Sequence, residues 1–290
     1  MACDNTGLTG GKYCTSGNPE GVPTGIAFAK TSFEMTATSF LLEATLTAAV
    51  KAENFFPING KNLFKGFENN NAESLIHEFG NRSRSFMDQK VLRFIVILDP
   101  NEEQEKQLKK FHNSNHEVYL FYDTIIRGRT PDSGVTIKGL RTTGIYVETG
   151  DFNMPDGTKG TMRIMVDLLT EKDKSEYGYS REIAWDLFTL DGLTEVDLEQ
   201  VGTPTATEIV IDVYSESNGN QTAIEGLVAA DFAIVGTGTI SSVTEVSGRY
   251  TLVTVGLING DTIDLVAPAS ISVADYFIKS SGVLTVAGIA

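Results

Sequence analysis

His112 and His116 stand four residues apart near the end of a predicted helix, a spacing that can hold zinc. The residue after His112 is Asn113, so the H-E-x-x-H pattern of a zinc hydrolase fails. Adding Cys3 and Cys14 would complete a Cys2His2 set, but both histidines are expected to be ordinary surface residues with no metal. His77 lies in Ser74-Leu75-Ile76-His77-Glu78-Phe79, a predicted strand, and is read as a structural polar residue. Glu102, Glu103 and Glu105 are close carboxylates at a predicted helix start, where the helix dipole accounts for them. Gly236-Thr237-Gly238 lacks the third glycine and the strand–helix context of a dinucleotide site, and is read as a turn. No G-x-S-x-G elbow and no phosphate-binding G-x-x-x-x-G-K-[ST] loop occurs. Arg127-Gly128-Arg129, near a turn and in a loop with Pro131, is a local basic cluster that would meet a phosphate or, preferably, a neighbouring subunit's carboxylate. With three histidines, two cysteines and one tryptophan, Trp185, the toolkit for catalysis is poor. The expectation is no enzyme, no catalytic residue, no cofactor and no metal.

The elements that would carry these residues are mostly strands. Residues 1–24 are rich in Gly, Pro, Asn and Thr and read as an extended arm. Ser39–Ala52 predicts a helix capped by Ser39, with Leu42, Leu46, Ala49 and Val50 on one face. Pro57 follows after the helix should have stopped. Leu92–Leu98 predicts a strand. Asp99-Pro100 then opens a second helix running through Gln104–Phe111, with Lys109 and Lys110 near its end. Glu117–Ile126 predicts one strand, and Val135–Glu148 another with bends or bulges at Gly139 and Gly144. Met154–Thr158 carries a hairpin-turn signal. Met162–Leu168 alternates and should be half buried, with Arg181–Leu190 pairing near it. These features predict an antiparallel sheet or open barrel with one or two flanking helices.

A change of composition at Gly202-Thr203-Pro204-Thr205 predicts two domains, 1–202 and 203–290. The second holds short apolar runs at regular spacing: Glu208–Tyr214, Phe232–Val235, Ile240–Val246, Tyr250–Val255, Thr262–Val266 and Val283–Val286, with a turn at Asn259-Gly260. This predicts an immunoglobulin-like β-sandwich without the Cys…Trp…Cys set of antibody domains. The fold class expected is therefore mainly β with one or two helices.

The chain of 290 residues has a formal net charge of −15. From Thr203 onward nine acidic residues face only two basic ones, Arg249 and Lys279. Such acidity disfavours tight phosphate-backbone binding but suits a surface past which nucleic acid slides. Neither a leader peptide nor a membrane-spanning run is expected, and Cys3 and Cys14 are expected as free thiols in a reducing cytoplasm.

This order of elements resembles the long-tailed bacteriophage tail tube (major tail) proteins, some of which append a C-terminal immunoglobulin-like domain. The helix Ser39–Ala52, the extended segments 1–24 and 128–134, and the appendage 207–290 carry the resemblance, which is one of layout. The arm and the helix over Pro100–Phe111 have no firm place in it. The resemblance implies a virion protein assembled in the host cytoplasm. It implies self-association into stacked rings, hexameric in that family, around a channel that conducts DNA without specific binding. Acids on Met162–Thr170 would line the channel, other virion proteins would be partners, and the appended domain would bind host-surface glycans. A neck, ring or capsid-associated protein, or a carbohydrate-binding adhesin module, are the alternatives.

Overall fold

A computed structural model describes residues 22–59, 64–69, 76–78, 84–86, 92–98, 102–130, 136–148, 161–169, 178–217, 220–266, 269–270 and 276–289. Cys3, Cys14, Asp99, Pro100 and the Met154–Thr158 turn lie outside them. The chain forms two compact units, residues 1–101 with 108–190, and residues 102–107 with 191–290. It is mainly β with two α-helices among the described residues.

The first unit contains strands β1 (Gly25–Ala29), β2 (Met35–Thr36), β3 (Phe55–Ile58), β4 (Phe64–Asn69), β5 (Ile76–Glu78), β6 (Arg84–Phe86) and β7 (Leu92–Leu98). After them come β8 (Glu117–Tyr122), β9 (Ile125–Arg129), β10 (Thr136–Ile137), β11 (Thr142–Glu148), β12 (Met162–Leu168) and β13 (Gly178–Glu182). Two antiparallel sheets form its body, in the orders β13-β9-β8-β1-β3 and β11-β12-β7-β4. Their facing side chains make one core, with Ile26, Phe28, Val118 and Leu120 from the first sheet and Phe94, Val96, Ile164 and Val166 from the second. Leu108 and Phe111 join that core.

The first sheet is covered on its other face too. Helix α1 (Glu43–Lys51) packs on β3, and Phe40, in the short 3-10 turn Ser39–Leu41, lies 5.9 Å from the Tyr119 ring. Burial on both faces explains why the Gly-Ile-Ala-Phe-Ala run of β1 is buried at every position and has no polar alternation. Pro57 sits in β3, which is an edge strand, where its missing N–H costs no ladder bond.

Several expectations change here. The predicted helix Ser39–Ala52 is broken: Leu42 is extended (φ −96°, ψ 122°) and 53% exposed, while Leu46, Ala49 and Val50 are buried as expected. Ser39 does not cap the helix, whose N-cap position is Leu42 with no side-chain cap bond; Ser39 opens the 3-10 turn and forms a reciprocal pair with Thr36, each hydroxyl accepting the other's N–H. The predicted strand Glu117–Ile126 is a hairpin, β8 to β9, turning at Asp123-Thr124 with Asp123 at φ 47°. The segment Arg181–Leu190 does not pair beside β12; β13 pairs with β9 in the other sheet, and Leu187–Thr189 is a 3-10 turn. The expected irregularity near Gly144 is a register shift between Thr142 and Gly144.

The second unit contains β14 (Gly192–Thr205), β15 (Glu208–Ser217), β16 (Asn220–Ala223), β17 (Phe232–Val235), β18 (Thr239–Val246) and β19 (Arg249–Val255). It ends with β20 (Thr262–Leu265), β21 (Ala269–Ser270), β22 (Tyr276–Ser280) and β23 (Leu284–Thr285). One sheet runs β18-β19-β15-β14-β22-β21 with β16 also on β15, and a smaller one runs β17-β20-β23. Ile209, Ile211, Tyr250, Leu252, Ile263 and Ile278 are central to its core. The expected sandwich is present, but the compact division falls between Leu190 and Asp191 rather than at the Gly202–Thr205 seam. The seam is the distal end of β14, where the register with β15 shifts between Val201 and Thr205. The first half of β14, Gly192–Val196, pairs parallel with β22.

Candidate functional site

The basic cluster Arg127-Gly128-Arg129 is the inner end of β9 and not a loop. Arg129 Nη2 donates to Glu117 Oε1 of the same chain at 2.5 Å, with side chains only 11% and 6% exposed. Arg127 is buried beside Tyr122; desolvation lowers its pKa and raises that of Tyr122, opposed in each case by their mutual hydrogen bond. The cluster is therefore internal, and its carboxylate partner comes from β8 of the same chain. Two glycines permit this: a Cβ on Gly128 would lie 2.4 Å from the Lys138 carbonyl oxygen, and one on Gly139 would lie 2.7 Å from Glu117 Cβ. Those approaches carry the backbone pairs of Arg129 with Lys138 and of Val118 with Leu140.

The two histidines do not act together. His112 is exposed, and its Nδ1 accepts the Val147 N–H at 3.2 Å. His116 is half-buried, with its ring edge-on to Phe111 and Phe56 and its Nδ1 2.8 Å from Ser114 Oγ. Burial lowers the His116 pKa, helped by the nearby Lys30 charge. Among the described residues no group of His, Cys, Asp and Glu is placed to hold a metal. His77 falls in β5, and Glu102, Glu103 and Glu105 in the helix α2 (Glu102–Leu108).

Gly236-Thr237-Gly238 is a turn wrapped around a buried carboxylate. Asp261, 3% exposed, accepts the N–H groups of Thr237 (3.0 Å), Gly238 (3.0 Å) and Ile258 (3.1 Å). Gly236 has φ 147°, and a Cβ there would fall on Asp261 Oδ1. The Thr237 N–H, followed by those of Ile258 and Gly238, holds the Asp261 pKa below 3.8, the ordinary aspartate value. Because the folded state favours the ionised form, this stabilisation is full above about pH 4 and vanishes as pH falls through the depressed folded pKa. Asp261→Asn is expected to lower the melting midpoint of the second unit by roughly ten degrees at pH 7, with the gap to wild type narrowing as pH falls through the depressed Asp261 pKa. Calorimetric scans of both proteins between pH 7 and 2 check this.

The β11-β12-β7-β4 sheet offers a candidate surface of another kind. Its two outer strands, β4 and β11, each have one neighbour among the described residues. The face away from the core alternates with it: Arg163 and Glu148 are exposed and directly opposite each other, and Glu68 is exposed beside Ile95. The acid of Met162–Leu168, Asp167, is not a free charge. Arg93 holds it in a two-pronged bond, Nε to Oδ1 at 2.6 Å and Nη2 to Oδ2 at 2.8 Å. At one end of this unit a cavity of about 260 Å³ opens between the sheets, lined by Val22, Pro23, Phe67, Phe94 and Tyr122 among others.

No protein-family model matches the chain, and no curated protein matches it in sequence. No helix among the described residues is long and apolar enough to cross a membrane. The outer position of β4 and β11 among the described strands is legible only once strand order is known, since β4, β7, β11 and β12 are separated by up to several tens of residues. No spacing rule in the sequence points to them.

Proposed function

We propose that this chain is a structural virion protein, similar to a phage tail tube subunit, that assembles into stacked rings around a DNA-conducting channel. The observation that carries the reading is the four-stranded antiparallel sheet whose outer strands, β4 and β11, each have one neighbour among the described residues, backed by a packed second sheet. Open edges invite pairing with other chains. Joining β4 of one copy to β11 of the next is a head-to-tail contact, and it closes into a ring when the rotation fits. The face that would then line the channel carries Glu68, Glu148 and Arg163 as exposed charges, with Arg93 and Asp167 neutralising each other. A nearly neutral to mildly acidic wall gives DNA nothing to adhere to. The second unit would stand as the decorating domain, binding host-surface glycans weakly.

Negative-stain electron microscopy of the purified chain tests this. Stacked rings or tubes with an open channel are expected. A single ring that does not stack favours a neck or connector role, and particles that stay monomeric at high concentration overturn the assembly reading.

A further inference from the structure

The strongest feature outside the sheet edges is an open groove of about 500 Å³ in the first unit, between the β8–β9 turn and the segment after β13. Its floor is Ile183, Trp185 and Phe188, and its rim carries Asp123, Thr124 and Asp186. The groove is built on anchored parts. Trp185 Nε1 donates to the Leu41 carbonyl at 3.0 Å, which fixes the indole. The Ile183 N–H bonds the Thr124 carbonyl, tying the two walls together, and the Asp123 N–H bonds Thr24 Oγ1, which anchors the β8–β9 turn. Asp186 Oδ1 accepts the Phe188 N–H at 2.9 Å, capping the 3-10 turn and leaving Oδ2 free to accept.

We propose that this groove takes an arginine or lysine side chain from a basic peptide segment of a partner protein. The polar groups it presents are two exposed carboxylates and one hydroxyl, around half-buried aromatic rings. Carboxylates only accept, so the complementary ligand is one that only donates. A guanidinium or ammonium group does so, its alkyl stem covers the apolar floor, and its charge is attracted by the indole face. No cation lines the groove, and neither Asp123 nor Asp186 makes an ion pair among the described residues. The neighbouring Arg181 is held elsewhere, 5.0 Å over the Tyr179 ring with Nε on its hydroxyl. An anionic ligand would be repelled. A neutral sugar would find one hydroxyl donor, Thr124, against two carboxylates that only accept.

Trp185 is the sole tryptophan of the chain, so intrinsic fluorescence reports this groove directly. The experiment titrates the full chain with a tetra-arginine peptide, and with tetra-glutamate and maltose for comparison. A saturable change in Trp185 emission with tetra-arginine alone is expected, weakening as salt rises from 50 to 500 mM because exposed charge pairs are screened. Asp123→Asn and Asp186→Asn are suited to the test, since Asn tolerates a positive φ at Asp123 and caps a helical turn nearly as well as Asp. The double variant should fold with an unchanged circular dichroism spectrum and bind tetra-arginine at least tenfold more weakly. No response up to millimolar peptide overturns the proposal, as does an affinity unmoved in the double variant. A response to maltose in place of the peptide overturns it in favour of a sugar site.

Discussion

Glu117→Ala should cost the first unit about 3–5 kcal/mol, the range for removing one partner of a buried ion pair. The Arg129 side chain is 11% exposed and Glu117 is a carboxylate partner at 2.5 Å. Truncation removes a carboxylate from the mostly buried Arg129, on the same strand as a buried second guanidinium, Arg127. A loss of this size approaches the whole stability of an ordinary domain. The double variant Glu117→Met with Arg129→Met should recover most of it, because it removes both charges while keeping volume. Urea unfolding followed by circular dichroism checks both. A single-variant loss under about 1 kcal/mol would show that the pair is solvated and that the cluster is a surface after all.

That pair also marks what the sequence could and could not reveal. Runs with strong β propensity were legible at once: Leu92–Leu98 and Phe232–Val235 are strands with the expected bounds, and Asn259-Gly260 is a turn with Gly260 at φ 94°. The hairpin at Asp123-Thr124 was hidden because it carries no glycine, asparagine or proline, and Asp123 takes the left-handed conformation instead. The break at Leu42 was hidden because every residue from Leu41 to Ala49 tolerates a helix, and packing decided where it starts. Arg127-Gly128-Arg129 looked like an exposed loop because of its glycine and the nearby Pro131. The glycine is there for close approach of another strand, and the charges meet a carboxylate on β8, a pairing that spacing does not encode. The groove at Trp185 is likewise assembled from two segments about sixty residues apart in sequence, each unremarkable alone.

The position of the boundary has the sharpest practical consequence. A chain ending at Leu190 is expected to remain folded and soluble, whereas one ending at Gly202 is expected to aggregate. Gly192–Val196 pairs with β22 and Asp197–Val201 with β15, and both partners lie beyond residue 202. Cutting at the compositional seam therefore keeps a strand and discards both of its neighbours. What remains is an extended tail carrying Leu193, Val196, Leu198 and Val201 with both edges open, a template for pairing with other copies. Val196 is 1% exposed in the intact unit, so its side chain would pass from core to solvent. Light scattering coupled to size exclusion should show defined particles for residues 1–190 and polydisperse material for residues 1–202. On the assembly reading, the particles formed by 1–190 are rings or tubes, since β4 and β11 both lie within it. Equal behaviour of the two truncations would mean that β14 folds back onto the first unit when its own partners are gone, and the seam at Gly202 would then be the functional boundary.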